Sequence, residues 1–214
     1  DAPATRPEPH GRLPGRGQHL EARHDRRLRQ GRAPSPRARD PGRGQPRGDR
    51  GPPRRHAHES LKILFVADVF GTAGRAALEE RLAGLKEELG AGVCVVNAEN
   101  AADGAGLTPR LADRLLAAGA DALTLGNHVW RRKEIGPYLE ESERVVRPAN
   151  LASGSPGRGL AVVPAADGTP VAVLNLQGQL FMATPISPFE VFDALVEEAR
   201  SQARIVLVDF HAEA

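Results

Sequence analysis

Short apolar runs that each stop at a polar residue of ligand type constrain this chain more than any other feature. Asp68 follows the run 63–67, Glu99 and Asn100 follow 93–97, Asn127 and His128 follow 122–125, and His211 follows 205–208. Brief apolar runs bounded by turn residues suit strands buried on both faces. In an open α/β sheet the carboxyl ends of such strands share one edge, where ligands bind. Four runs would then deliver carboxylate, carboxamide or imidazole to that edge. These ligand types suit a pair of divalent metals held through mixed oxygen and nitrogen.

Between the runs lie helical patterns. Leu78, Leu82, Leu85 and Leu89 recur at helical spacing and end at Gly90. Thr108 followed by Pro109 is a helix start, with Thr as N-cap and Pro at the first helical position. Further helices are predicted over 131–140 and 189–200. Residues 160–163 and 171–176 form two strands around an Asp-Gly turn. Strands alternating with helices imply βαβ units and a largely parallel sheet covered on both faces.

This order holds only beyond residue 60. Residues 1–60 contain 15 Arg, 10 Pro and 7 acidic residues, and no Val, Ile, Phe, Trp, Tyr, Met, Cys or Lys. The whole chain carries +2 and this leader +8, which leaves −6 for residues 61–214. Without β-branched or aromatic residues a segment cannot bury enough surface to offset its chain entropy, so the leader is expected to be disordered. Three origins compete for it: GC-rich DNA translated upstream of a true start, a nucleic-acid-binding tail, or a linker. It lacks the apolar stretch of a secretory signal. No run approaches the 18 residues of a membrane span. Cys94, the one cysteine, sits inside an apolar run as a core residue would in a reducing compartment, so a soluble, cytoplasmic body is expected. The chain starts at Asp1 and stops at Ala214, and both ends read as cut.

Each polar residue has a bland reading beside the functional one. Asp68 could cap the helix after it. Glu99 directly after a buried strand is costly unless solvated, paired or coordinated, whereas Asn100 could serve a left-handed turn. Asn127 supplies a neutral oxygen, and His128 could act as a general acid toward a departing oxygen or simply pack on Trp130. His211 is a metal ligand or a partnerless histidine near the chain end, with Asp209 and Glu213 as candidates to orient it.

The segments ADVFGTAGR, NAENAADGAGLTP, LTLGNHVW, RPAN, PGRG and VDFHAEA stand in the order seen in the YmdB-like branch of the calcineurin-like metallophosphoesterases. The chain resembles that family over residues 62–214 and not over 1–60. The resemblance implies an α/β, metallophosphoesterase-type layered sandwich, incomplete at the C-terminus. It implies a phosphodiesterase with two divalent metals held by Asp68, Glu99, Asn100, Asn127 and His211. A dimetal-activated hydroxide would attack phosphorus, with His128 as proton donor. Mixed ligands suit Fe or Mn, and Mg is admitted. The wider superfamily places a His where this chain has Phe70; the YmdB-like branch lacks that His too.

Family members continue into another strand and a loop with two more histidines. This chain is therefore expected to lack part of both metal sites and to be inactive alone. The substrate implied is a 2′,3′-cyclic nucleotide or a related RNA-derived phosphodiester. The partners implied are RNA-processing machinery and further copies of the chain in a homo-oligomer, with no membrane. A non-enzymatic RNA-associated regulatory or metal-binding protein is the alternative, and a basic-tail nucleic-acid binder a third. No aromatic platform for stacking single strands is visible, since Trp130 and Tyr138 are the only Trp and Tyr.

Overall fold

The structure, a computed structural model, describes residues 60–213. The reading of the leader falls almost wholly outside these residues. Among them, no helix is long and apolar enough to cross a membrane.

Two sheets form, as in the layered sandwich that the resemblance implied, where the alternation of strands and helices alone read as one. The first is parallel, with β1 (Ile63–Val66), β2 (Val93–Asn97), β3 (Ala122–Thr124) and β4 (Val145–Val146) side by side in that order. Helices α1 (Gly71–Leu89), α2 (Pro109–Ala117) and α3 (Ile135–Glu141) make the crossovers that parallel strands require. The second sheet pairs β5 (Leu160–Pro164) antiparallel with β6 (Pro170–Gln177), and β6 parallel with β7 (Ile205–His211). Helix α4 (Pro188–Gln202) connects β6 to β7.

Alternation along the strands builds the layers, because successive side chains point to opposite faces. Cys94 and Val96 of β2 pack under the first three helices with Leu82, Leu115, Leu123 and Leu139. Val93 and Val95 face the other way, into a second core with Val163, Val171 and Val173 of the other sheet. Ala172 and Leu174 of β6 then turn to Ala199 on α4. The order is helices, sheet, sheet, helix. Each fully buried Val or Leu contributes about 1.5–3 kcal/mol, so the double-sided burial of β2 and β6 anchors both sheets.

Local signals account for most boundaries. Thr108 accepts a hydrogen bond from Leu111 N–H at 3.3 Å, with Pro109 opening the helix. Gly90 ends α1 at φ 62°, a left-handed cap that glycine adopts without a Cβ penalty. The Asp-Gly turn is a hairpin, with Thr169 N–H donating to Asp167 at 2.8 Å. Helix α1 starts at Gly71, two turns before the Leu78 that opens the periodic pattern, since the glycine-rich first turn carries no periodic signal. Strand β4 has two residues, too few for a pattern. Strands β1 and β7 lie at sheet edges, and Phe65, Val208 and Phe210 on them are partly exposed.

Candidate metal and phosphoester cleft

The cleft of about 310 Å³ that holds most of the candidate residues lies across the two sheets, lined by Asp68, Asn97, Glu99, Asn100, Asp209 and His211 among others. Its construction begins with backbone stitching. Val69 N–H donates to Asn97 O and Gly71 N–H to Asn100 O, both at 3.0 Å. These bonds fasten the loop after β1 to the turn after β2. Asp68 sits in that loop at φ 47°, a left-handed conformation that Asp tolerates better than most residues. The capping alternative is corrected: the N-cap of α1 is Phe70, and no side chain caps it.

The left-handed alternative for Asn100 is also set aside, because the positive φ values in that turn belong to Asp103, Gly104 and Gly106. The Asn100 carboxamide is the hub of the cleft. Its Nδ2 donates to Asp68 Oδ1 at 2.6 Å and to Glu99 Oε1 at 3.2 Å. Its Oδ1 meets His128 Nδ1 at 2.7 Å. Two carboxylate acceptors fix which end of the amide is nitrogen, so His128 must donate from Nδ1. That leaves His128 Nε2 as the ring nitrogen free to carry a proton to a ligand. The Asn100 oxygen points to His128 and not to the carboxylates, so ligation through it would add to that bond or need the amide to turn.

Glu99 and His211 meet from different sheets. Glu99 Oε2 and His211 Nε2 lie 3.6 Å apart, with side chains 4% and 14% exposed, and neither atom has a hydrogen-bond partner. Burial pushes the Glu99 carboxyl up to about 7, reinforced by the charges of Asp68 and Glu213 and opposed by the His128 backbone and Asn100. Burial also holds the His211 imidazole below its ordinary value, against the pull of Asp209 and Glu213. A neutral imidazole has one lone-pair nitrogen, and with Nε2 in that role it and the deprotonated Glu99 carboxylate would both offer lone pairs to the space between them. Gly126 makes room for them: a Cβ there would collide with the Glu99 carboxylate and reach 2.7 Å from His211 Cγ.

His211 does not follow its strand as expected; it is the last residue of β7, and it comes from the second sheet. The idea that all four runs feed one sheet edge is therefore corrected. Phe210 and His211 continue the ladder by pairing with Leu176 and Gln177. Asn127 is exposed beside His128 and does not line the cleft. Asp209 turns to carboxamides, accepting from Asn97 Nδ2 at 3.1 Å.

The orphaned Glu99 and His211 atoms fit a divalent cation, since both are lone-pair donors suited to Mn or Fe. Among the described residues, however, no three His, Cys, Asp or Glu side chains form a group that could hold a metal ion. Asp68 reaches Glu99 only through Asn100.

Residues outside the expected set also shape the site. Buried Asn150 accepts from Gln177 N–H at 2.9 Å and donates to Gln177 O and Ile186 O at 2.7 and 3.0 Å. It thereby pins the strand end that pairs with His211. Arg147 gives its guanidinium to the carbonyls of Pro148, Ser155, Pro156 and Gly157, and so orders the connection between the sheets. Both belong to the RPAN segment. An asparagine two residues after a proline carries no sign, in one sequence, of which carbonyls it will meet.

The helix–sheet–sheet–helix sandwich is the metallophosphoesterase-type layered fold that the resemblance implied, and a solved structure described as a phosphatase shares it. The sequence profile described as YmdB-like protein matches residues 64–214, and the chain belongs to that family. A 2′,3′-cyclic-nucleotide 2′-phosphodiesterase of Bacillus subtilis (strain 168) is 42% identical over 154 residues, covering 72% of this chain and 58% of that protein. A crystal structure of a hypothetical protein from Thermus thermophilus superposes with a TM-score of 0.65 at 38% identity, covering 72% of this chain and 59% of that one. A Mycoplasma pneumoniae protein described as a novel phosphatase gives 0.63 at 32%, covering 72% and 56%. The chain thus spans somewhat more than half the length of these relatives.

Proposed function

We propose that this chain contributes the cleft of a metal-dependent phosphodiesterase whose substrate is a 2′,3′-cyclic nucleotide or a related RNA-derived phosphodiester. The observation that carries the reading is the pair of orphaned, buried atoms, Glu99 Oε2 and His211 Nε2, at 3.6 Å. Leaving two such buried polar atoms unpaired costs about 1–3 kcal/mol each, which a cation would offset by taking a lone pair from each. The substrate class comes from the Bacillus subtilis relative.

Glu99 and His211 would hold a divalent ion, with Asp68 and Asn100 beside them in the cleft as further ligands, and Asn127, exposed outside the cleft, would have to turn inward to serve a second ion. When bound, such ions polarise a phosphoryl oxygen and lower the pKa of water. The chain's own residues supply the rest. Asn100 orients His128 by holding Nδ1, which directs Nε2 outward. From Nε2 the doubly protonated ring can give a proton to the leaving alkoxide. Burial of Glu99 keeps the carboxylate poorly solvated, which strengthens its attraction for a cation.

The test is calorimetric titration of the full chain with Mn²⁺, followed by assay on 2′,3′-cyclic AMP. Binding that is lost in both Glu99→Gln and His211→Gln is expected. Because 58% of that relative is matched, turnover by the 214-residue chain is expected to be weak or absent even when metal binds. Mn²⁺ binding that survives both substitutions would overturn the proposal.

A further inference from the structure

Two residues before each member of the Glu99–His211 pair lies another cross-sheet contact. Asn97 ends β2, and its Nδ2 donates to Asp209 Oδ2 at 3.1 Å. Asn175 of β6 is the register partner of Asp209, and its Nδ2 donates to Asp209 O at 3.2 Å and to Oδ2 at 3.5 Å. Asn97 also accepts from Glu99 N–H through Oδ1, at 3.3 Å. One carboxylate oxygen thus collects two amide donors, one from each sheet, directly before the site.

We infer that Asp209 is a positioning residue, a clamp that sets the two sheets in register so that Glu99 and His211 meet. Apolar contact between stacked sheets is non-directional, so Val95 against Val173 resists separation more than sliding. A polar bond shielded from solvent, as the part-buried Asn97–Asp209 bond is, has a fixed distance and direction, and such bonds serve to specify register. Residues two apart on a strand share a face. Asp209 therefore carries His211 with it, and Asn97 carries Glu99 through its own bond to the Glu99 amide. What the clamp requires of residue 209 is an acceptor oxygen at the right point. It does not require a negative charge.

Substitution separates acceptor from charge. Asp209→Asn keeps one oxygen for both carboxamides and removes the charge; Asp209→Ala removes both. The full chain is compared by the ¹H–¹⁵N signals of the His211 imidazole, assigned by their loss in His211→Gln, and by Mn²⁺ affinity. Asp209→Ala is expected to move the His211 signals and weaken Mn²⁺ binding by about 10- to 100-fold, the usual effect of losing a group that orients a ligand. Asp209→Asn is expected to restore both. If Asp209→Ala leaves the signals in place, there is no clamp. If Asp209→Asn is as damaging as Asp209→Ala, the charge matters and the acceptor role is wrong.

Should Asp209→Ala not fold, Asn97→Ala breaks the same contact from the other sheet and is expected to displace the same signals. The Mn²⁺ arm rests on the proposed metal-binding function, whereas the imidazole arm does not. Wild-type chain without Mn²⁺ affinity would sink that function and leave the imidazole signals to decide the clamp.

Discussion

Glu99 Oε2 and His211 Nε2 stand 3.6 Å apart, one from the turn after β2 and the other from the end of β7, with no hydrogen bond to either atom. The contact joins the two sheets at the cleft, two residues beyond the Asn97–Asp209 bond. Its chemistry depends on protonation.

With its carboxyl at about 7 against an ordinary 4.5, metal-free Glu99 keeps a proton in the folded state that the unfolded chain has already lost. The stability tied to that proton is full below pH 4.5 and is lost as pH rises through about 7. The loss is on the order of 3 kcal/mol. Glu99→Gln mimics the protonated form, so it should match wild type near pH ~4.5 and exceed it near pH ~8. Thermal unfolding of both proteins without metal across that range checks the prediction; parallel curves would contradict it.

Gly126 has no Cβ where one would strike Glu99 and His211. Its φ is not in the left-handed region, so the backbone itself accepts alanine. Gly126→Ala should therefore act through space alone, destabilising by about 1–3 kcal/mol and abolishing Mn²⁺ binding in a chain that still folds. Circular dichroism with metal titration reads both. Full Mn²⁺ affinity in this variant would show that the pair is free to move aside.

His128 touches Asn100 but neither Glu99 Oε2 nor His211 Nε2 has a bond to it. His128→Ala is expected to keep Mn²⁺ affinity within about threefold, and in the longer relatives the equivalent change should lower kcat by about 10²–10⁴-fold. Steady-state kinetics on a cyclic nucleotide measures this. Unchanged kcat would remove His128 as the proton donor.

Asn150 satisfies three backbone groups at once. Asn150→Ala strands them in the interior and should cost about 3 kcal/mol, seen as a lower midpoint in urea. Asn150→Asp is expected to fare no better. It keeps the acceptor for Gln177 N–H but sets a carboxylate oxygen against two carbonyls. Rescue by Asp would mean that the two donated bonds contribute nothing.

Much of the fold was legible because its signals are local. Thr108-Pro109, the Leu spacing up to Gly90 and the Asp-Gly hairpin each depend on neighbours within a few residues, and each element forms where its pattern lies. The two-residue β4 and the glycine-rich first turn of α1 were not legible, since neither is long or apolar enough to show a period. The residue types of the cleft could be read as well: carboxylate, carboxamide and imidazole beyond apolar runs. Their partners could not.

What the chain determines by itself, then, is which segments become strands and helices and which polar groups they carry, because propensity, capping and periodicity act over a few residues. That β6 and β7 leave the first sheet to build a second was decided only by tertiary packing. Val93 and Val95 needed cover on the face opposite the helices, and β6 supplied Val171 and Val173 for it. The same stacking set Asp209 against Asn97, 112 residues away in sequence, and brought His211 to Glu99. Contacts at that separation arise from burying two apolar faces together, and no local pattern encodes which polar atoms will then stand opposite one another.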